Sequence, residues 1–158
     1  YNNNNNDNNN NKCFRKKGVN NKRERKKKSG KKKQKKQKKN DFNAQFIEDT
    51  SIKDRTVHSS NIILKKEWKL KNIGTESWHK HNVKLFFIKG NRDICIHNEY
   101  ELEFKEVKPN ETATITAWIQ TPKVNHNNRE RRVAYFRLKN IVKDKWFGPR
   151  VWVDIFIE

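Results

Sequence analysis

Glycine is scarce in this chain, five in 158 residues and scattered, which leaves little scope for a loop that cradles phosphates in backbone N–H groups. Cysteine occurs twice, as Cys13 and Cys95, and the two fall in segments of different character. An intradomain disulfide is therefore excluded, which fits a reducing compartment. No apolar stretch approaches the ~18–20 residues of a membrane span. The N-terminal run is polar, so no secretory leader is expected, and the opening on Tyr1 leads us to expect an upstream segment. There is no nucleophile elbow and no cluster of metal-ligand spacing, so neither catalysis, a cofactor nor a small-molecule substrate is expected.

What the chain has in abundance is positive charge, and it is unevenly placed. Residues 1–41 hold 17 Lys or Arg against 3 acidic residues, a net charge of +14. The remainder holds 21 against 15, a net charge of +6, and carries all five tryptophans. The first segment begins with an asparagine tract, Asn2 to Asn11, broken by Asp7. Such a tract has nothing apolar to bury and so is expected to be disordered. Lys22, Arg23, Arg25, Lys26, Lys27 and Lys28 follow, then Lys31, Lys32, Lys33, Lys35, Lys36, Lys38 and Lys39. These are candidate polyanion contacts, for RNA, DNA or an anionic surface, where ammonium groups displace phosphate counterions. No aromatics are interleaved, so base stacking is not expected. The same run could act as a nuclear localisation signal in an otherwise cytoplasmic protein.

We place a domain boundary at about residues 40–43, giving a tail over 1–42 and a folded domain over 43–158. Beyond it the hydrophobic period becomes two. In Ile62–Lys71 the even positions Ile62, Leu64, Lys66, Trp68 and Leu70 are apolar but for Lys66, and the odd ones are polar but for Ile63. That is the pattern of a half-buried strand. Further strands are predicted at Val83–Ile88, closed by a hairpin loop Lys89-Gly90-Asn91, and at Ile94–Ile96 and Leu102–Val107. Thr112–Thr121, Val133–Lys139 and Val151–Ile157 complete the set, with Pro122 ending the first and Gly148-Pro149 read as a turn before the last. Seven to nine short strands without a competing helical period predict an all-β, immunoglobulin-like antiparallel sandwich. Its inward rows are expected to bury Trp68, Phe86, Phe104, Phe136 and Trp152.

Four pieces of sequence carry a resemblance. They are Phe46-Ile47-Glu48-Asp49-Thr50 with Asp54-Arg55-Thr56; Trp68 through Gly74 with Trp78; Tyr135-Phe136-Arg137-Leu138; and Phe147 through Ile155. Taken together, residues 44–158 resemble the four-tryptophan (FW) domain of Nbr-type selective autophagy cargo receptors. Phe136 stands where that family has tryptophan and Arg55 where it has glycine, while Trp118 and Trp146 are additional. The resemblance implies an immunoglobulin-like protein-docking module, with Trp68, Phe136 and Trp152 as the core of the motif. It implies an adaptor role, with cargo recognition in selective autophagy as the setting.

Trp78, Trp118, Trp146 and Phe147 are the candidate protein-binding residues, because aromatics in loops and on polar faces often anchor interfaces. The alternative is that they tuck over the ends of the sheets. His79 and His81 share a spacing of two but have no third ligand, and read as loop histidines. Glu48, Asp49 and Asp54 read as groups that satisfy turn N–H donors. Glu101 through Val107 contains an acid-flanked aromatic-x-x-aliphatic run like a short receptor motif, but its place in a strand points to core. Two readings of function follow: protein docking through the sandwich, and polyanion binding through the tail.

Overall fold

The computed structural model describes residues 40–124 and 129–158, so the basic run from Lys22 to Lys39 lies outside the described residues. Among those described, ten strands form: β1 (Ala44–Asp49), β2 (Thr56–His58), β3 (Ile63–Asn72), β4 (Trp78–His79), β5 (Val83–Gly90), β6 (Glu99–Glu101), β7 (Glu106–Val107), β8 (Thr112–Gln120), β9 (Glu130–Asn140) and β10 (Lys145–Ile157). They make a three-stranded sheet in the order β1-β3-β8, a five-stranded sheet β2-β10-β9-β5-β6, and a two-stranded ribbon β4-β7. Only the β2–β10 pair is parallel among the described strands. The fold is an immunoglobulin-like β-sandwich, as the strand pattern predicts.

The period of two decides which side chains meet between the sheets. Lys66, Trp68, Leu70 and Asn72 of β3 point inward, as do Ala134, Phe136, Leu138 and Asn140 of β9 and Val151, Val153, Ile155 and Ile157 of β10. Phe136 lies at the centre, with the rings of Trp68, Tyr100 and Phe87 at 5.5, 5.9 and 6.1 Å. The Trp68 indole N–H donates to the Trp152 carbonyl at 3.0 Å, tying one sheet to the other. An indole buried this way keeps its one donor satisfied.

Two polar residues on inward positions are satisfied by close partners. Lys66 is fully buried, yet its ammonium sits 2.7 Å from Asp49 Oδ1, donates to the Ile52 carbonyl and lies 5.6 Å from the Trp68 ring centroid. Asn72 donates to the carbonyls of Val107 and Glu76 at 3.0 and 2.9 Å and accepts from the Gly74 N–H at 3.0 Å.

Several local expectations give way to tertiary packing. Lys89 and Gly90 belong to β5 itself, and Arg92–Ile94 forms a 3-10 turn where a hairpin and a strand were expected. Cys95 makes only an isolated bridge to Ile119. Leu102 to Lys105 lie outside any strand, between β6 and β7. Gly148-Pro149 is a bulge inside β10, not a turn before it: Phe147 pairs with Leu138 and Val151 with Phe136. A bulge is where a strand tolerates proline. Gly148 takes φ +66°, and a Cβ there would stand 2.7 Å from that of Ala44.

Candidate functional site

The outward positions of the five-stranded sheet carry the most unusual surface. On β9 these are Tyr135, Arg137 and Lys139; on β10 they are Trp146 and Trp152; on β5 they are Lys84 and Phe86. Strand register sets them in rows: Trp152 beside Tyr135 beside Lys89, Arg137 beside Phe86, and Trp146 beside Lys139 beside Lys84. Trp146 and Trp152 remain 39% and 38% exposed although each lies on a paired strand.

The geometry within the rows is that of interleaved aromatics and cations. Trp146 meets Phe86 edge to face at 5.6 Å, and Lys139 Nζ lies 5.2 Å from the Trp146 ring and 5.8 Å from Phe86. Lys89 Nζ stands 4.9 Å from the Tyr135 ring. Arg137 Nε donates to the Gly148 carbonyl at 3.0 Å, which pins the guanidinium against the bulge. The Trp152 indole N–H donates to Asp54 at 2.9 Å, so this ring too is held in one orientation. Below this row Arg131 grips Asp154 with two hydrogen bonds, 2.8 and 2.7 Å. Those bonds, outweighing the burial of Asp154, hold its carboxyl below the usual carboxylate range. Rigid, partly desolvated Trp, Tyr and Arg side chains are the types that anchor protein interfaces.

The four candidate contacts separate into two kinds. Trp118 is 43% exposed on β8 and Trp146 is on the outer face of the other sheet, so the two exposed rings belong to different surfaces. Trp78 and Phe147 are buried. Their rings meet at 5.7 Å, and Phe147 meets Phe42 at 5.6 Å, closing one end of the core; neither is available as a surface contact. Of the motif core, Trp68 and Phe136 are fully buried. Trp152 is not: Val151 and Val153 take the inward positions, and strand alternation turns the residue between them outward. Phe86 is likewise outward on β5, and Phe104 is only partly buried against the core. Tyr135 and Arg137 entered the sequence reading only as part of the resemblance and Lys139 not as a contact, though their odd positions on β9 are the signal that places them on one face.

The remaining candidates are accounted for locally. Glu48 pairs with Lys69 at 3.3 Å, Asp49 with Lys66 and Asp54 with Trp152, so these carboxylates bind side chains and not turn N–H groups. His79 and His81 stack at 5.1 Å, and among the described residues no group of three or more His, Cys, Asp or Glu is placed to hold a metal. Burial pushes the Cys95 thiol up to about 11. In the acid-flanked run, Val107 is buried, paired with Trp78 of β4, and is closed to a partner. No helix among the described residues is long and apolar enough to cross a membrane.

Fold and surface together define an immunoglobulin-like domain. The sequence model of the family described as Ig-like domain from next to BRCA1 gene matches residues 51–157. The chain belongs to that family. No curated protein matches the sequence. Among solved structures, the archaellum periplasmic stator protein FlaG from Sulfolobus acidocaldarius is 12% identical, with 72% of this chain and 98% of that one covered and a TM-score of 0.37. The ASH/PapD-like domain of human CEP192 (PapD-like domain 7) is 6% identical over 76% of this chain and 85% of that one, with a TM-score of 0.32.

Proposed function

We propose that this chain is a non-catalytic docking module of the FW type, which holds a protein partner on the outer face of its five-stranded sheet. The observation that carries the reading is the ordered row of half-exposed Trp146, Phe86, Tyr135 and Trp152 interleaved with Lys139, Arg137 and Lys89. A solvated sheet face has no physical need of two tryptophans, whereas an interface does. Cations placed over ring faces favour a partner with carboxylates around an apolar centre. The FW resemblance extends the reading to an adaptor that recognises cargo in selective autophagy, in the cytoplasm.

A second reading rests on the net charge of +14 over residues 1–41: polyanion binding or nuclear targeting through the tail. The two separate cleanly by salt. Affinity capture with the full chain, in nuclease-treated lysate at low and high salt, is expected to retain a discrete set of proteins at both. Material stripped by nuclease or by salt would instead assign the function to the tail.

A further inference from the structure

A second surface lies at the seam between the two sheets, where β8 ends one and β6 ends the other. The indole of Trp118 and the side chains of Glu99, Glu101 and Glu103 line a groove there of about 410 Å3, with Thr116, Tyr100 and His97 completing its walls. The chain carries a formal net charge of +20, yet the charged side chains lining this concavity are all carboxylates.

The polar groups of the groove are unequally occupied. Tyr100 donates to the Trp118 carbonyl at 2.9 Å and accepts from the His97 N–H at 3.3 Å. Glu99 is engaged by Lys84 at 2.7 Å. Glu101 stands 3.6 Å from Lys84 and Glu103 3.9 Å from Lys65, both at the outer limit of an ion pair and both well exposed. Thr116 is only 6% exposed, and its hydroxyl has no hydrogen-bond partner. A buried, unpaired hydroxyl costs stability, and here it stands in the wall of the groove. Lys65 displays the chemistry the groove accepts: its Nζ lies 5.8 Å from the Trp118 ring centroid and 2.8 Å from Glu67.

The geometry points to a docking groove for a lysine- or arginine-bearing peptide of a partner protein. Its cation lies over Trp118 between Glu101 and Glu103, and a polar group of the peptide reaches Thr116 when the exposed glutamates swing aside. A cation over an indole and between carboxylates gains from both interactions at once. Because the whole chain repels cations, binding of a basic peptide reports this local site and not general attraction. The groove adjoins the aromatic outer face, since Glu99 stands across from Phe86 and Glu101 across from Lys84. Trp118 and Thr116, however, belong to β8 of the other sheet, and the inference does not rest on that face.

The test is fluorescence anisotropy of a labelled Gly-Lys-Gly-Lys-Gly peptide with the full chain, beside the same peptide Nε-acetylated on both lysines. The lysine peptide is expected to bind and the acetylated one to bind at least tenfold more weakly. Trp118→Ala, and the pair Glu101→Gln with Glu103→Gln, each reduce binding at least tenfold, while Thr114→Ala on the same strand leaves it unchanged. Thr116→Val raises the Tm by removing the unpaired hydroxyl and still weakens the peptide, a combination that a purely structural role does not produce. Where Trp118→Ala fails to fold, the exposed glutamate pair decides. Equal binding of the two peptides, or wild-type binding by the glutamate pair, overturns the proposal.

Discussion

The two outer faces of this sandwich are built from the same strand geometry and differ in how many aromatic rings they expose: Trp118 alone on the β3 and β8 rows of the three-stranded sheet, a row of four on the five-stranded one. On the three-stranded sheet the outward row of β3 is Lys65, Glu67, Lys69 and Lys71, opposed across the register by Trp118, Thr116, Thr114 and Thr112 of β8. Its charges are paired with one another, Lys65 with Glu67 at 2.8 Å and Lys69 with Glu48 at 3.3 Å. Apart from the end at Trp118 and Thr116 that lines the groove, these rows are polar and solvated. On the five-stranded sheet the corresponding positions hold Trp146, Trp152, Tyr135 and Phe86; Lys139 and Lys89 lie over rings there, while Lys139 also pairs with Asp144 and Lys84 with Glu99. Burial between the sheets explains neither arrangement, since both are outside. That difference is the ground for the proposal that a partner covers the outer face of the five-stranded sheet.

The comparison can be sharpened first by separating inside from outside. Trp68→Ala removes a fully buried ring and is expected to cost about 3–5 kcal/mol in chemical denaturation. Trp152→Ala, on the outer face, costs about 1 kcal/mol, mostly its half-buried area and the bond to Asp54. Equal losses would place Trp152 in the core after all.

A pH titration probes the same face. The Arg131 hydrogen bonds depress the Asp154 carboxyl, so the stabilisation is present above the pKa of the unfolded carboxylate and is lost as pH falls through the folded value. Thermal midpoints should therefore decline from about pH 4 downward. Asp154→Asn should lie below wild type at neutral pH and flatten that acid limb. An unchanged acid limb in the variant would deny the linkage.

Smaller effects follow. Arg55 takes φ +63°, a conformation costly to any side chain, at the place where the FW resemblance leads one to expect glycine. Arg55→Gly is expected to change stability by less than about 1 kcal/mol, in the favourable direction, because it also gives up a 3.9 Å contact with Asp154. Lys69→Ala on the three-stranded sheet should lie within about 0.5 kcal/mol of wild type, the usual range for an exposed pair. A large loss there would break the claim that this face is merely solvated.

Much of the fold was legible because alternation is a strong signal over long strands. β3, β8 and β9 stand close to where their patterns put them. The short apolar run Ile94–Ile96 carries no period to speak of, and its role as a 3-10 turn with a single bridge was set by the β8 edge. β2 is three residues long and exists because it lies parallel to the end of β10, a pairing across some hundred residues that no local pattern announces. Trp152 was misplaced by its hydrophobicity, although Val151, Val153 and Ile155 on either side already argued that it faces out. The site was half legible: parity on β8 exposed Trp118, but Trp78 and Phe147 were decided by packing against Phe42. That Tyr135 and Lys139 join Trp152 and Trp146 could be seen only once β9 was known to lie between β10 and β5.

The most direct measurement compares the two faces in one capture experiment at high salt. Full-length wild type, the double variant Trp146→Ala with Trp152→Ala, and the double variant Lys69→Ala with Thr114→Ala are each tested for the same retained proteins, after circular dichroism confirms that all three are folded. The account predicts that retention falls at least thirtyfold for the tryptophan pair, about 2 kcal/mol, and less than twofold for the other. Equal retention by all three, or loss confined to the Lys69 and Thr114 variant, would contradict it.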